Sequence, residues 1–274
     1  WAQYDFALNA LIECILLAPL CAAMGVKIVN FRMAFFSDAI SHSAFTGVAV
    51  GFLLNEALRR SGDSFDPRIS LILLGLLIAI GVNAVRRRTD LSSDTVVGVF
   101  FSTVVALGLA IISSSSTRSA DFRQYLYGDI LTLDAIDLAL TGMLAVVVFG
   151  FMALAYTPLT LIGLNDELAH SRGLHVKLYD YLFSLLLALV VTISIRTSGI
   201  LLVTGMLLIP AATARNLARS AGGMFRWAVV LGLISGVGGT LASFSTRLQD
   251  VSTGAVIVLV SSLLFAISLV RGRL

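Results

Sequence analysis

The sequence predicts an all-α, polytopic membrane protein with about 8–9 transmembrane helices, the N-terminus outside and the C-terminus cytoplasmic. Three observations carry this. Of 274 residues, 58% are hydrophobic and only 13% are charged, against ~25% charged in an ordinary soluble domain. The mean hydropathy is +0.96, which is more apolar surface than a soluble core of this length absorbs. The apolar residues come in long runs, and the basic residues collect in short stretches between them. The net charge of +3 therefore reports topology and not nucleic-acid binding.

A spanning helix needs about 20 mostly apolar residues. Segments near 6–24, 38–57, 69–85, 95–113, 135–156, 178–195, 198–216, 225–246 and 252–270 meet this requirement. The third is short, and the sixth and seventh are joined through only Arg196, Thr197 and Ser198, so eight spans with one re-entrant or broken segment remain open. Lys27, Arg32, Arg86, Arg87, Arg88, Arg172, Lys177, Arg215, Arg219, Arg226, Arg271 and Arg273 all fall on one side if the N-terminus is outside. Arg59, Arg60, Arg68, Arg118 and Arg123 fall on the other, in the company of Asp63, Asp66, Asp121 and Asp129. The chain reads as one transmembrane domain, 1–274. It has no GxxxxGK[ST] phosphate loop, so it has no nucleotide engine of its own.

Two connections are long enough to have structure. Residues 114–134 lie outside and carry aromatic residues suited to an interface. Residues 157–177 lie inside and read as a short helix between turns. Asn165 is placed to cap it, Asp166 and Glu167 fall in its favourable first turn, and Gly173 ends it.

The chemistry concentrates in "SDAISHSAFTGVAVGFLL", where Asp38 and His42 are four residues apart and share one helix face. Ionisable groups in lipid-spanning helices are costly and mark pathways or partners. A carboxylate oxygen and an imidazole nitrogen are also two metal ligands, and two ligands make a weak site from which an ion can leave. Two plainer readings stand beside this one: an Asp–His hydrogen bond that locks helices, or Asp38 as a helix cap. Glu13, with Asn9 one turn before it, sits deep in the first segment and serves either a pathway or packing. Pro210 kinks or breaks the seventh segment, as a packing feature or as part of a cavity lining. Gly232 and Gly236 form a GxxxG, a signal for close helix contact within the chain or between copies. Cys14 and Cys21 read as small core residues. His170 and His175 read as solvated.

Three stretches resemble a known group. "FFSDAISHSAFTGVAVGFLL", "SGILLVTGMLLIPAATARNLARS" and "STGAVIVLVSSLLFAISLV" are similar to the signatures of the membrane permeases of bacterial zinc, manganese and iron ABC importers. The similarity runs over nearly the whole chain. It implies a multi-pass permease of the bacterial cytoplasmic membrane, not an enzyme, that works as a homodimer. A separate cytoplasmic ATPase subunit would hydrolyse ATP, and an extracytoplasmic metal-binding protein would deliver the ion. The family's metal-contacting pair falls on Asp38 and His42. Its ATPase-coupling segment falls on Asp166 to Gly173, including Glu167, Ala169 and Arg172. The cargo would be Zn2+ or Mn2+, with no cofactor bound permanently. The family version has a proline near the end of the second-helix signature, where Thr46 and Gly47 stand here, which bears on the metal subtype. Oxygen–nitrogen ligation suits both metals; the lack of a harder carboxylate cluster leans towards zinc. The alternatives are an ATP-independent metal transporter or channel, an intramembrane metalloenzyme, for which no HExxH helix is present, and a permease of the cobalamin or iron-chelate type.

Overall fold

The computed structural model describes residues 5–31, 33–59, 66–114, 135–244 and 251–271. Among these there are no strands. The helices are α1 (Asp5–Asn30), α2 (Ala34–Arg59), α3 (Pro67–Arg86), α4 (Ser93–Ser114), α5 (Ala135–Leu164), α6 (Asp166–Ser171), α7 (Val176–Leu217), α8 (Ala221–Ser243) and α9 (Thr253–Arg271). Local chemistry sets several boundaries. Asp66 caps α3 by accepting from the Arg68 amide at 2.9 Å, with Pro67 at the first helical position. Ser220 caps α8 by accepting from the Gly223 amide at 3.1 Å. The expected outer connection, 114–134, lies outside the described residues except for Ser114.

Eight helical segments are long and apolar enough to cross a membrane: α1, α3, α4, α5, both parts of α7, α8 and α9. α2, at 26 residues, is long enough as well but more polar, because Ser37, Asp38, Ser41, His42 and Ser43 interrupt its apolar run. The anticipated broken segment is α7. It runs for 42 residues, with non-helical backbone at Gly199 (φ 79°, ψ 161°), a region that glycine enters without a Cβ penalty. Of the two outcomes expected at Pro210, a kink or a break, the break does not occur there. Helical backbone continues through Pro210, and the departure comes eleven residues earlier, at Gly199. Lipid-embedded helices tolerate proline where neighbouring groups re-satisfy the freed carbonyl.

The described residues form two compact units. One holds α1, α5, α6, the part of α7 from Thr197, α8 and α9. In it α8 packs on α1 and α9, and α1 packs on α5. Small residues allow the approach: a Cβ on Gly232 would lie 2.9 Å from the Ala22 Cβ and 3.0 Å from the Ala18 carbonyl oxygen. The GxxxG thus acts within the chain. A Cβ on Gly25 would overlap the Leu207 carbonyl of α7. Cys14 and Cys21 are buried and unpaired, as small core residues should be, and the Cys14 Sγ lies 3.1 Å from the Thr240 Oγ1.

Lys27 departs from expectation. It is not a loop cation but a fully buried residue in the last turn of α1, which continues to Asn30. Its Nζ donates to the Thr160 Oγ1 at 2.6 Å and to the Tyr156 carbonyl at 3.3 Å, and lies 4.5 Å from the centre of the Tyr156 ring. These contacts, with the cation over an aromatic face, replace its hydration.

The other unit holds α2, α3, α4 and residues Lys177–Arg196 of α7. α2 is its centre and packs on both α3 and α4. At one end, the Arg86 guanidinium donates to Asp180 at 2.9 Å, Arg87 donates to the same carboxylate oxygen, and Arg86 also reaches the Asn83 Oδ1 at 3.2 Å. Two of the three arginines expected in the α3–α4 connection are therefore tied to α7, and only Arg88 is exposed.

Two substitutions, each with a control, test this packing by thermal unfolding in detergent. Gly25→Val should destabilise by about 1–3 kcal/mol through overpacking. Gly150→Ala, with open space around it, should leave the transition unchanged. Asp180→Ala, which strands two partly buried guanidiniums, should destabilise by about 3 kcal/mol, while an equivalent change at exposed Asp94 should have no effect.

Candidate metal site on the second helix

α2 begins at Ala34, so Asp38 already lies inside the helix and is not its cap. One turn on, His42 follows on the same face, and both side chains are half-buried. Neither makes a hydrogen bond or ion pair among the described residues, and the imidazole meets only the edge of Phe101 of α4, with ring centroids 5.0 Å apart. The two plainer readings of the pair, helix cap and locking hydrogen bond, thus find no support in the geometry. The carboxylate oxygens and ring nitrogens remain available as ligands.

The segment after the pair holds it in place. The Thr46 Oγ1 donates to the Val104 carbonyl of α4 at 2.6 Å. The Ser70 Oγ of α3 donates to the Gly47 carbonyl at 2.8 Å. A Cβ on Gly47 would come within 2.7 Å of the Leu71 Cα, so only glycine fits against α3 there. Thr46 and Gly47, noted in the sequence as a departure from the family pattern, therefore pin α2 to both of its neighbours one turn beyond His42. The buried hydroxyls of Ser37 and Ser43 return to the α2 backbone, at Ala34 O (3.1 Å) and Ile40 O (2.6 Å). The Ser41 hydroxyl, fully buried beside His42, has no partner among the described residues.

No third ligand joins the pair: among the described residues no three His, Cys, Asp or Glu side chains are grouped to hold a metal. Glu13 belongs to the other unit. It is buried in α1, and its Oε1 accepts from the Thr141 Oγ1 and the Thr197 Oγ1, each at 3.0 Å. Its second oxygen, Oε2, has no partner there. Pro210 is buried in α7, in continuous helix.

The segment read as a short helix between turns is α6. The Asn165 side chain caps it by accepting from the Leu168 amide at 3.0 Å, and Asp166 and Glu167 occupy its first turn. At its other end Gly173 takes φ 74°. The Gly173 amide bonds to His170 O at 3.0 Å and the Leu174 amide to Ala169 O at 3.2 Å, the paired bonds of a Schellman motif. Ala169 is buried and seats the helix, whereas Asp166, Glu167, Arg172, His170 and His175 are exposed. Leu164 and Leu168, also exposed, form an apolar knob beside these charges. The sequence reading passed over Leu168, although an apolar residue amid NDE-LAHSR was a visible signal.

Comparison with known proteins places this arrangement. The chain is 31% identical over 269 residues to the high-affinity zinc uptake system membrane protein ZnuB of Haemophilus influenzae, covering 98% of each chain. It is 34% identical to the manganese import system permease protein ScaB of Streptococcus parasanguinis, over 97% of this chain and 90% of that one. Its fold matches the solved structure of PsaBC from Streptococcus pneumoniae in complex with Fab, with a TM-score of 0.80 and 30% identity, over 97% of this chain and 92% of that one. The sequence pattern of the ABC 3 transport family matches residues 3–272: with its polytopic helical architecture, the chain belongs to that family and is the membrane permease of an ABC importer.

Proposed function

We propose that the cargo of this permease is a divalent transition-metal ion, zinc or manganese, and that Asp38 and His42 hold it in transit. The observation that carries this reading is a carboxylate and an imidazole one helical turn apart in a membrane protein, neither making a hydrogen bond or ion pair among the described residues. Leaving such groups unsatisfied costs stability, and a passing cation would offset that cost. Relatives named for zinc and for manganese support the cargo class. Oxygen–nitrogen ligation suits both ions, and the Irving–Williams order favours zinc at an equilibrium site.

The chain works as a single permease domain, N-terminus outside, in the bacterial cytoplasmic membrane. A pair of ligands is half of a tetrahedral set. A second copy of the permease, related by a two-fold axis, supplies the other Asp38 and His42. An extracytoplasmic metal-binding protein delivers the ion to the outer face. A cytoplasmic ATPase subunit grips the α6 knob, with Asp166, Glu167 and Arg172 at its rim and Ala169 and Gly173 fixing its shape. ATP-driven movement of that knob separates the paired ligands and releases the ion inwards. Glu13, with a bare carboxylate oxygen, serves the pathway, and Pro210 lies in the helix that borders it. No covalent bond is made or broken by the permease.

Asp38→Ala should lower metal uptake by more than about tenfold in cells that express the protein at the normal level, and His42→Ala should do the same; uptake at the wild-type rate in either variant would falsify the site. Leu168→Asp should leave the permease folded but abolish copurification with its ATPase, whereas unaltered copurification would remove α6 from the coupling scheme.

A further inference from the structure

An open groove of about 400 Å³ lies along the first turns of α8, lined by Gly223, Arg226, Trp227 and Val230. Trp227 is 47% exposed, an uncommon state for the largest apolar side chain unless it faces lipid or a partner. From Val230 at the groove the same helix face continues with exposed Ile234 and Leu241, at the i+4 and i+7 spacing of a single stripe. Arg226 lines the groove, and Arg215 and Arg219 precede it in the last turn of α7 and in the short connection to α8. Arg215, Arg219 and Arg226 are all exposed, and none has an ion-pair partner among the described residues. No aspartate or glutamate occurs anywhere between Asp180 and Asp250.

We propose that this groove binds an anionic phospholipid, with the headgroup phosphate on Arg226, the Trp227 ring at the level of the glycerol esters, and an acyl chain along Val230 and Ile234. Each level of the groove matches one level of the lipid. Guanidinium groups pair with phosphate oxygens in a planar, bidentate manner. Tryptophan prefers the boundary between headgroup and hydrocarbon, where its ring is apolar and its N–H is wet. The stripe beyond is apolar throughout. Basic pockets at the membrane face of a helical protein attract acidic lipids at about fivefold enrichment for each cation. A second copy of the chain is the poorer occupant. A two-fold contact sets a patch against itself, so it would gather two sets of Arg215, Arg219 and Arg226, with no carboxylate from the same stretch of chain to neutralise them.

The chain has two tryptophans, Trp1 and Trp227, so in a Trp1→Phe background, with excitation selective for tryptophan over tyrosine, Trp227 is the sole reporter. The full-length protein is reconstituted in phosphatidylcholine vesicles that carry a minority of brominated phosphatidylglycerol or, separately, the same fraction of brominated phosphatidylcholine. The expected result is quenching of Trp227 by the acidic lipid at about fivefold lower mole fraction than by the neutral one. Arg226→Gln should erase that preference and leave quenching by the neutral lipid intact, which also shows that the variant is folded. Equal quenching by the two lipids in the parent protein marks an ordinary lipid boundary and overturns the proposal. So does a preference that survives Arg226→Gln. Quenching by neither lipid overturns it as well, and means that protein covers the face.

Discussion

An ionisable side chain inside a lipid-embedded helix has to be satisfied, because water cannot do it. The interior of this protein is organised around that demand. Lys27 meets it with a hydroxyl, a carbonyl and an aromatic face. Glu13 meets it in part, with two threonine hydroxyls on one oxygen. Asp180 meets it with two guanidiniums from the end of α3. Asp38 and His42 are the exception: the fold brings them to adjacent turns of one helix, and neither makes a hydrogen bond or ion pair among the described residues. Among the described residues their helix is accordingly the one long helix too polar to count as a candidate span by apolarity.

What keeps such a helix in place is close packing. Lipid tails are as apolar as leucine, so helix association rests on contact and on interhelical hydrogen bonds. α2 shows both, through the Thr46 and Ser70 hydroxyls on neighbouring carbonyls and through the near approach of α3 at Gly47. In the other unit α8 lies against α1 over Gly232, Ala18 and Ala22. The rigidity of these joints gives the polar pair a defined position without any bond to the pair itself.

Much of this was legible in the sequence because it is local. Apolar run lengths found the helices, the i, i+4 spacing found Asp38 and His42, and cap chemistry found both ends of α6 at Asn165 and Gly173. The misreadings are tertiary. Counting Lys27 as a loop cation ignored that a long amine can bury beside a hydroxyl and a ring on a helix distant in sequence. Pro210 read as a kink or break in α7, but the helix runs on through it, whereas Gly199 takes a positive φ that residues with a Cβ rarely adopt. Among 23 glycines, nothing local marked that one. The bonds of Thr46 and Ser70 were invisible for the same reason, since they require knowing that α3 and α4 flank α2.

The construction of α6 has a consequence for recognition. Both of its ends are closed by its own chain, the first by the Asn165 side chain and the second by the backbone bonds around Gly173. Its shape is therefore present before any encounter. A protein that grasps it loses little conformational entropy in ordering it, so the strength of that grip reflects the surface chemistry of the knob, and force applied there is transmitted through a stiff lever instead of being absorbed by slack.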